Sequence, residues 1–111
     1  MGFEELAGRL KDGPMNEFRK EEPGYLEFVS TTKDLSDIYP VLEEYFGPPF
    51  KPAGVVPTKE AVLRSAHYGG IEIQQTLYYI EQEGLSSCAM IWPWQDKMRA
   101  TIKVAQGEIA R

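Results

Sequence analysis

The chain has 111 residues and a mass of 12.6 kDa, which is room for one domain spanning 1–111. With 42% apolar, 12% aromatic and 26% charged residues it has globular rather than disordered composition. Against 17 Asp and Glu stand 12 Lys and Arg, and the net charge of −5 excludes a non-specific nucleic-acid binder and disfavours anionic membranes.

Cys88 is the one cysteine and His67 the one histidine. That excludes an internal disulfide, a zinc site with paired thiolates and the HExxH motif, so no metal or cofactor is expected. No apolar run approaches the roughly 18 residues of a membrane span. The opening Met1-Gly2-Phe3-Glu4-Glu5-Leu6 is acidic and has no signal-peptide apolar region. Leu6 also stands where a myristoylation signal wants Ser or Thr. The expected location is the cytoplasm.

Phe3, Leu6 and Leu10 fall on one helical stripe, and Gly13-Pro14 ends it. Residues 14–22 are charged around a lone Phe18 and read as a linker or one loose turn. Pro23-Gly24 is a turn signal, and Tyr25 to Ser30 reads as a strand with apolar groups on both faces. Leu35, Ile38, Leu42 and Tyr45 then repeat at helical spacing. A start near Asp37 puts Pro40 in the first turn, where its missing N–H has no intrahelical partner to lose. Gly47-Pro48-Pro49 stops this helix. The stretch 47–57 holds four prolines and two glycines and is expected to be an extended surface segment. Thr58 looks like an N-cap for a further helix that ends near Gly69-Gly70.

The last third reads as three strands: Ile71 to Glu81, Leu85 to Trp92 and Met98 to Gln106. Glu83-Gly84 makes a two-residue turn. Pairing Gln82 with Leu85 sets Leu77 opposite Met90 and Tyr79 opposite Cys88. Pairing Trp92 with Met98 sets Met90 opposite Ala100 and Cys88 opposite Ile102. Opposed residues share a face. One face then gathers Ile71, Ile73, Leu77, Tyr79, Cys88, Met90, Trp92, Met98, Ala100, Ile102 and Val104. The other is mostly polar but carries Tyr78, Ile80, Ala89 and Ile91. The fold expected is α+β: a mainly antiparallel sheet of about four strands, made of one N-terminal strand and a C-terminal meander. Two or three helices pack on its apolar face. Which meander edge receives the first strand stays open.

In that register His67-Tyr68-Gly69-Gly70 and Pro93-Trp94-Gln95-Asp96-Lys97 meet at one end of the sheet. His67, Tyr68, Trp94 and Asp96 become candidate ligand-binding residues, with His67 a base oriented by Asp96. The bland alternative is a surface turn with His67 closing a helix against its dipole. Cys88 reads as a buried inert thiol. The positive charges Lys97, Arg99 and Lys103 follow an acidic stretch, which cross-strand pairing or a guarded sheet edge would explain. Tyr78, Ile80 and Ile91 read either as scattered apolar surface or as an interface with a second copy of the chain, and cover by the N-terminal helix is a third possibility. The functional expectation is a small soluble binding or protein-interaction module without evident catalytic apparatus, homodimeric through this outer face. Self-association or another protein is the expected partner. The alternative is a small-molecule-binding protein or enzyme with its site at the 67–70 and 93–97 loops.

Overall fold

A computed structural model of the chain describes residues 1–109. In chain order it has α1 (Phe3–Asp12), β1 (Glu17–Glu22), β2 (Tyr25–Thr31), α2 (Leu35–Phe46), α3 (Lys59–Ser65), β3 (Thr76–Gln82), β4 (Leu85–Pro93) and β5 (Arg99–Glu108). Short 3₁₀ turns at Thr32–Asp34 and Ala66–Tyr68 lead into α2 and out of α3. The strands form one five-stranded antiparallel sheet in the order β1-β2-β5-β4-β3. The class is α+β, as expected. The fifth strand is β1, in the stretch expected to be a linker. Its six residues are all exposed, so no period-two apolar pattern announces it. The Pro23-Gly24 turn folds it back on β2. Gly24 has φ +76° there, and a Cβ on it would lie 2.7 Å from the Gln106 carbonyl oxygen. Only glycine serves at that position.

The β3–β4 hairpin has the expected register, with Leu77 opposite Met90 and Tyr79 opposite Cys88. Glu83 and Gly84 both sit at positive φ, as a tight hairpin turn requires. The β4–β5 register differs. Trp92 lies opposite Thr101, Ile91 opposite Ile102 and Cys88 opposite Ala105. This is a shift of three residues from the expected pairing, and an odd shift exchanges the faces of β5. The loop between these strands decides it. Trp94 N–H bonds the Arg99 carbonyl at 2.8 Å, Lys97 N–H bonds the Trp94 carbonyl at 3.0 Å, and Lys97 has φ +60°. Met98, expected on the core face, is 68% exposed.

Ala100, Ile102 and Val104 therefore join Tyr78, Ala89 and Ile91 on the sheet's first face, with Leu26 and Phe28 of β2. Helices α1 and α2 cover this face, through Phe3, Leu6, Ala7 and Leu10 of α1 and Leu35, Ile38, Leu42 and Phe46 of α2. Each large side chain so buried contributes roughly 1.5–3 kcal/mol. Tyr78 is 0% exposed and Ile91 1%, while Ile80 is partly buried against the same core. The expected self-association surface is thus interior, covered partly by the N-terminal helix. It looked like an outer face only because the register was three residues off.

The second face carries Leu77, Cys88, Met90 and Ala105, and α3 packs there through Ala61. Helices accordingly lie on both faces and not on one. The first long strand, β2, joins β5, so β5 is central and its Arg99 and Lys103 guard no edge. Two smaller boundaries also move. Helix α2 begins at Leu35, because Thr31 caps the preceding 3₁₀ turn by accepting the Asp34 N–H at 3.2 Å. Pro40 then lies inside the helix, with both Pro40 and Ser36 on its exposed side. Strand β3 begins only at Thr76, because residues 72–75 make a turn, with Gln75 N–H bonding the Glu72 carbonyl at 3.1 Å. No helix among the described residues is long and apolar enough to cross a membrane.

Candidate ligand-binding site

Helix α3 and its 3₁₀ extension bring the first candidate residues over the sheet. Thr58 caps α3 by accepting the Ala61 N–H at 3.1 Å. Ser65 is fully buried and bonds back to the Ala61 carbonyl at 2.7 Å. The Gly70 N–H then closes on the Ser65 carbonyl at 2.9 Å, which hooks residues 66–70 across β4 and β5. Gly69 is the pivot. It has φ +109°, and a Cβ on it would meet the Trp92 ring at 2.6 Å. A residue with a side chain would have to lift the hook off the sheet.

Beneath the hook, the Lys103 ammonium lies 3.7 Å from the Trp92 ring centroid and donates to the Tyr68 carbonyl at 3.3 Å. The Tyr68 ring stacks on Tyr25, with centroids 6.4 Å apart. His67 makes an edge contact with Tyr68 at 4.9 Å and is otherwise exposed. Burial pushes the Tyr68 phenol above its ordinary value.

Next to this cluster is a hollow of about 220 Å³ lined by Leu63, Arg64, His67, Tyr68, Ser86, Gly107 and Glu108. Ser86 and Gly107 are cross-strand partners. The missing side chain at Gly107 leaves room beside Tyr68. Arg64 lies along one wall, 3.7 Å from Glu60, 3.6 Å from Glu81 and 5.4 Å over the Tyr79 ring. The Tyr79 phenol is pushed up to about 12, first by burial and then by its bond to Glu81.

The other candidate loop is built around its own backbone. Asp96 accepts the N–H groups of Met98 at 2.9 Å and Arg99 at 3.2 Å, and pairs with the Arg99 guanidinium at 2.8 Å. The Met98 N–H bond comes first in holding the Asp96 carboxyl below its usual value. Trp94 donates its indole N–H to Thr101 at 2.9 Å, and the Arg99 guanidinium lies 4.4 Å from its ring. The expected His67–Asp96 couple is therefore not formed. Asp96 holds its own turn, and His67 packs on Tyr68. Of the four candidates, His67 and Tyr68 line the hollow, while Trp94 and Asp96 belong to the turn at the other end of β4.

Sequence reasoning missed Leu63, Arg64, Ser86, Gly107 and Glu108 as wall residues. The Ser86–Gly107 opposition would have pointed to them, but it depends on the β4–β5 register. Cys88 is buried as expected, and burial raises its thiol to about 12. Among the described residues no three His, Cys, Asp or Glu side chains gather as a metal site. Comparison with known proteins gives no matching family model, no matching curated protein and no matching solved structure.

Proposed function

We propose that this chain is a small binding module whose ligand sits in the hollow beside the His67–Gly69 hook. The observation that carries this reading is the convergence of three separate chain regions on one concavity: α3 with its extension, the start of β4 and the end of β5. The donor set suits the acceptor-rich head group of a small molecule. Arg64 and His67 stand three residues apart on the same helical side, the hydroxyl-bearing residues Ser86 and Tyr68 add donors, and Glu108 is the acidic residue of the wall. A volume of 220 Å³ matches about seven waters, so the ligand is small. A carboxylate or phosphate head against Arg64 and His67, with a short apolar part against Leu63, fits the lining.

The test is an NMR titration of the intact chain with acetate, inorganic phosphate and a panel of small carboxylates. As the only histidine, His67 gives an unambiguous side-chain reporter. Saturable shifts confined to His67, Ser86 and Gly107 support the reading. In Ser86→Trp, which fills the hollow, those shifts should disappear. Shifts that persist unchanged in Ser86→Trp, or that spread evenly over the surface, sink it.

A further inference from the structure

The stretch 47–57 carries a charge where none would be expected. Lys51 is 3% exposed. Its ammonium donates to three backbone carbonyls, Glu72 at 2.8 Å, Ile73 at 2.5 Å and Gln75 at 2.6 Å. No carboxylate pairs with it among the described residues. A buried charge is tolerated only when its desolvation is offset, and here each ammonium proton has one oxygen. Burial pushes the Lys51 pKa down, and the three carbonyl oxygens are the groups that face its ammonium.

The three carbonyls come from one four-residue turn that points them at a common centre. Without a cation there, their dipoles would repel one another. The same lysine is also tied down through its backbone. Its N–H and carbonyl pair with Leu77 at 3.0 and 2.9 Å, a bridge linking this segment to β3. Gly54 N–H adds a bond to the Ile73 carbonyl at 2.7 Å. The segment thus lies along the outer edge of β3, which no other strand among the described residues covers. An open edge of this kind is a template for unwanted pairing.

We propose that the carbonyl oxygens of Glu72, Ile73 and Gln75 form a binding site for a primary ammonium, filled in the native chain by Lys51. Its occupancy fastens the 47–57 strap over the β3 edge. The class of ligand is specific. It must be cationic, small at the head and able to donate three hydrogen bonds, so a quaternary ammonium cannot replace it.

The experiment uses the full chain carrying Lys51→Ala, which removes a propylammonium-sized piece of the side chain. Amide hydrogen exchange is read at Gly54 and Leu77, with Phe28 and Ile102 in the main core as controls. The expected result is a loss of protection of about tenfold or more at Gly54 and Leu77, with the core controls unchanged. Added n-propylammonium restores the protection, and tetramethylammonium at equal ionic strength does not. Equal rescue by both cations, or unchanged protection in Lys51→Ala, overturns the proposal. Should Lys51→Ala not fold, Lys51→Met keeps the aliphatic stem and removes the charge. Native protection of Gly54 and Leu77 in Lys51→Met overturns the proposal, and their selective loss supports it.

Discussion

The hydroxyl of Tyr78, on a ring with no exposed surface, donates to the Glu43 carboxylate at 3.0 Å. The bond joins β3 to α2 at the edge of the main core, beside the Phe46 ring at 5.7 Å. Tyr78→Phe keeps the ring and removes only the bond. Glu43 is exposed, so water replaces the lost donor. The expected cost is about 1 kcal/mol in urea unfolding, with the slope unchanged. A loss of several kcal/mol would mean that the hydroxyl, and not the ring, positions α2.

Ile91 separates a core from an interface. At 1% exposure under α1 and α2 it behaves as interior. Ile91→Val should cost about 0.5–1.5 kcal/mol and Ile91→Ala about 2–5 kcal/mol. Ile91→Glu should not fold. Light scattering should give Ile91→Val the same mass as the parent chain at every concentration. A variant with unchanged stability and a lowered mass would instead place Ile91 on a subunit contact.

Cys88 should be chemically silent in the folded chain. Its thiol is buried on the second face, and its pKa is raised to about 12. Thiolate, not thiol, attacks a disulfide reagent, so at pH 8 the folded chain should react at least about a hundredfold more slowly than the chain in guanidinium. Comparable rates in the two states would contradict the burial.

The alkaline limb of stability follows from the same burial. Tyr79 is raised to about 12 and Cys88 to about 12, and Tyr25 and Tyr78 are raised as well. Each group loses its proton more readily when unfolded, near its ordinary value. Their stabilisation is therefore complete below about pH 9 and lost as pH rises toward 12 and beyond. Urea midpoints should fall steadily from pH 9 to pH 11.5. A midpoint that stays level across that window would count against these shifts.

Asp96 governs the turn that sets the β4–β5 register. Its carboxyl is held below the ordinary value, so its contribution is present above about pH 4 and lost as the pH falls further. Asp96→Asn keeps an oxygen for the Met98 and Arg99 N–H groups but loses the ion pair, whereas Asp96→Ala loses both. Exchange at the Trp94 amide, which bonds the Arg99 carbonyl, should quicken more in Asp96→Ala than in Asp96→Asn. The reverse order would show that the turn does not depend on this acceptor.

What was legible in the sequence is what short-range chemistry decides. The stripe of Phe3, Leu6 and Leu10 marks the buried side of α1, and Leu35, Ile38 and Leu42 that of α2. The Glu83-Gly84 turn sets the β3–β4 register, because a two-residue turn leaves its flanking strands one way to pair. Tertiary structure alone decided the rest. The loop joining β4 to β5 is long enough to close in more than one register. Both faces of the sheet carry apolar residues, so a shift that exchanges faces leaves the hydrophobic pattern almost as good. The hydrogen-bonded turn at 94–99, together with the arrival of α1 and α2 on one face and α3 on the other, selects the register. That choice moved Tyr78 and Ile91 inside and set Ser86 opposite Gly107 at the hollow. Strand β1 and the Lys51 cage were illegible for the same reason. Their stability comes from partners far along the chain, and neither charged residues on an edge nor a lysine among prolines signals that locally.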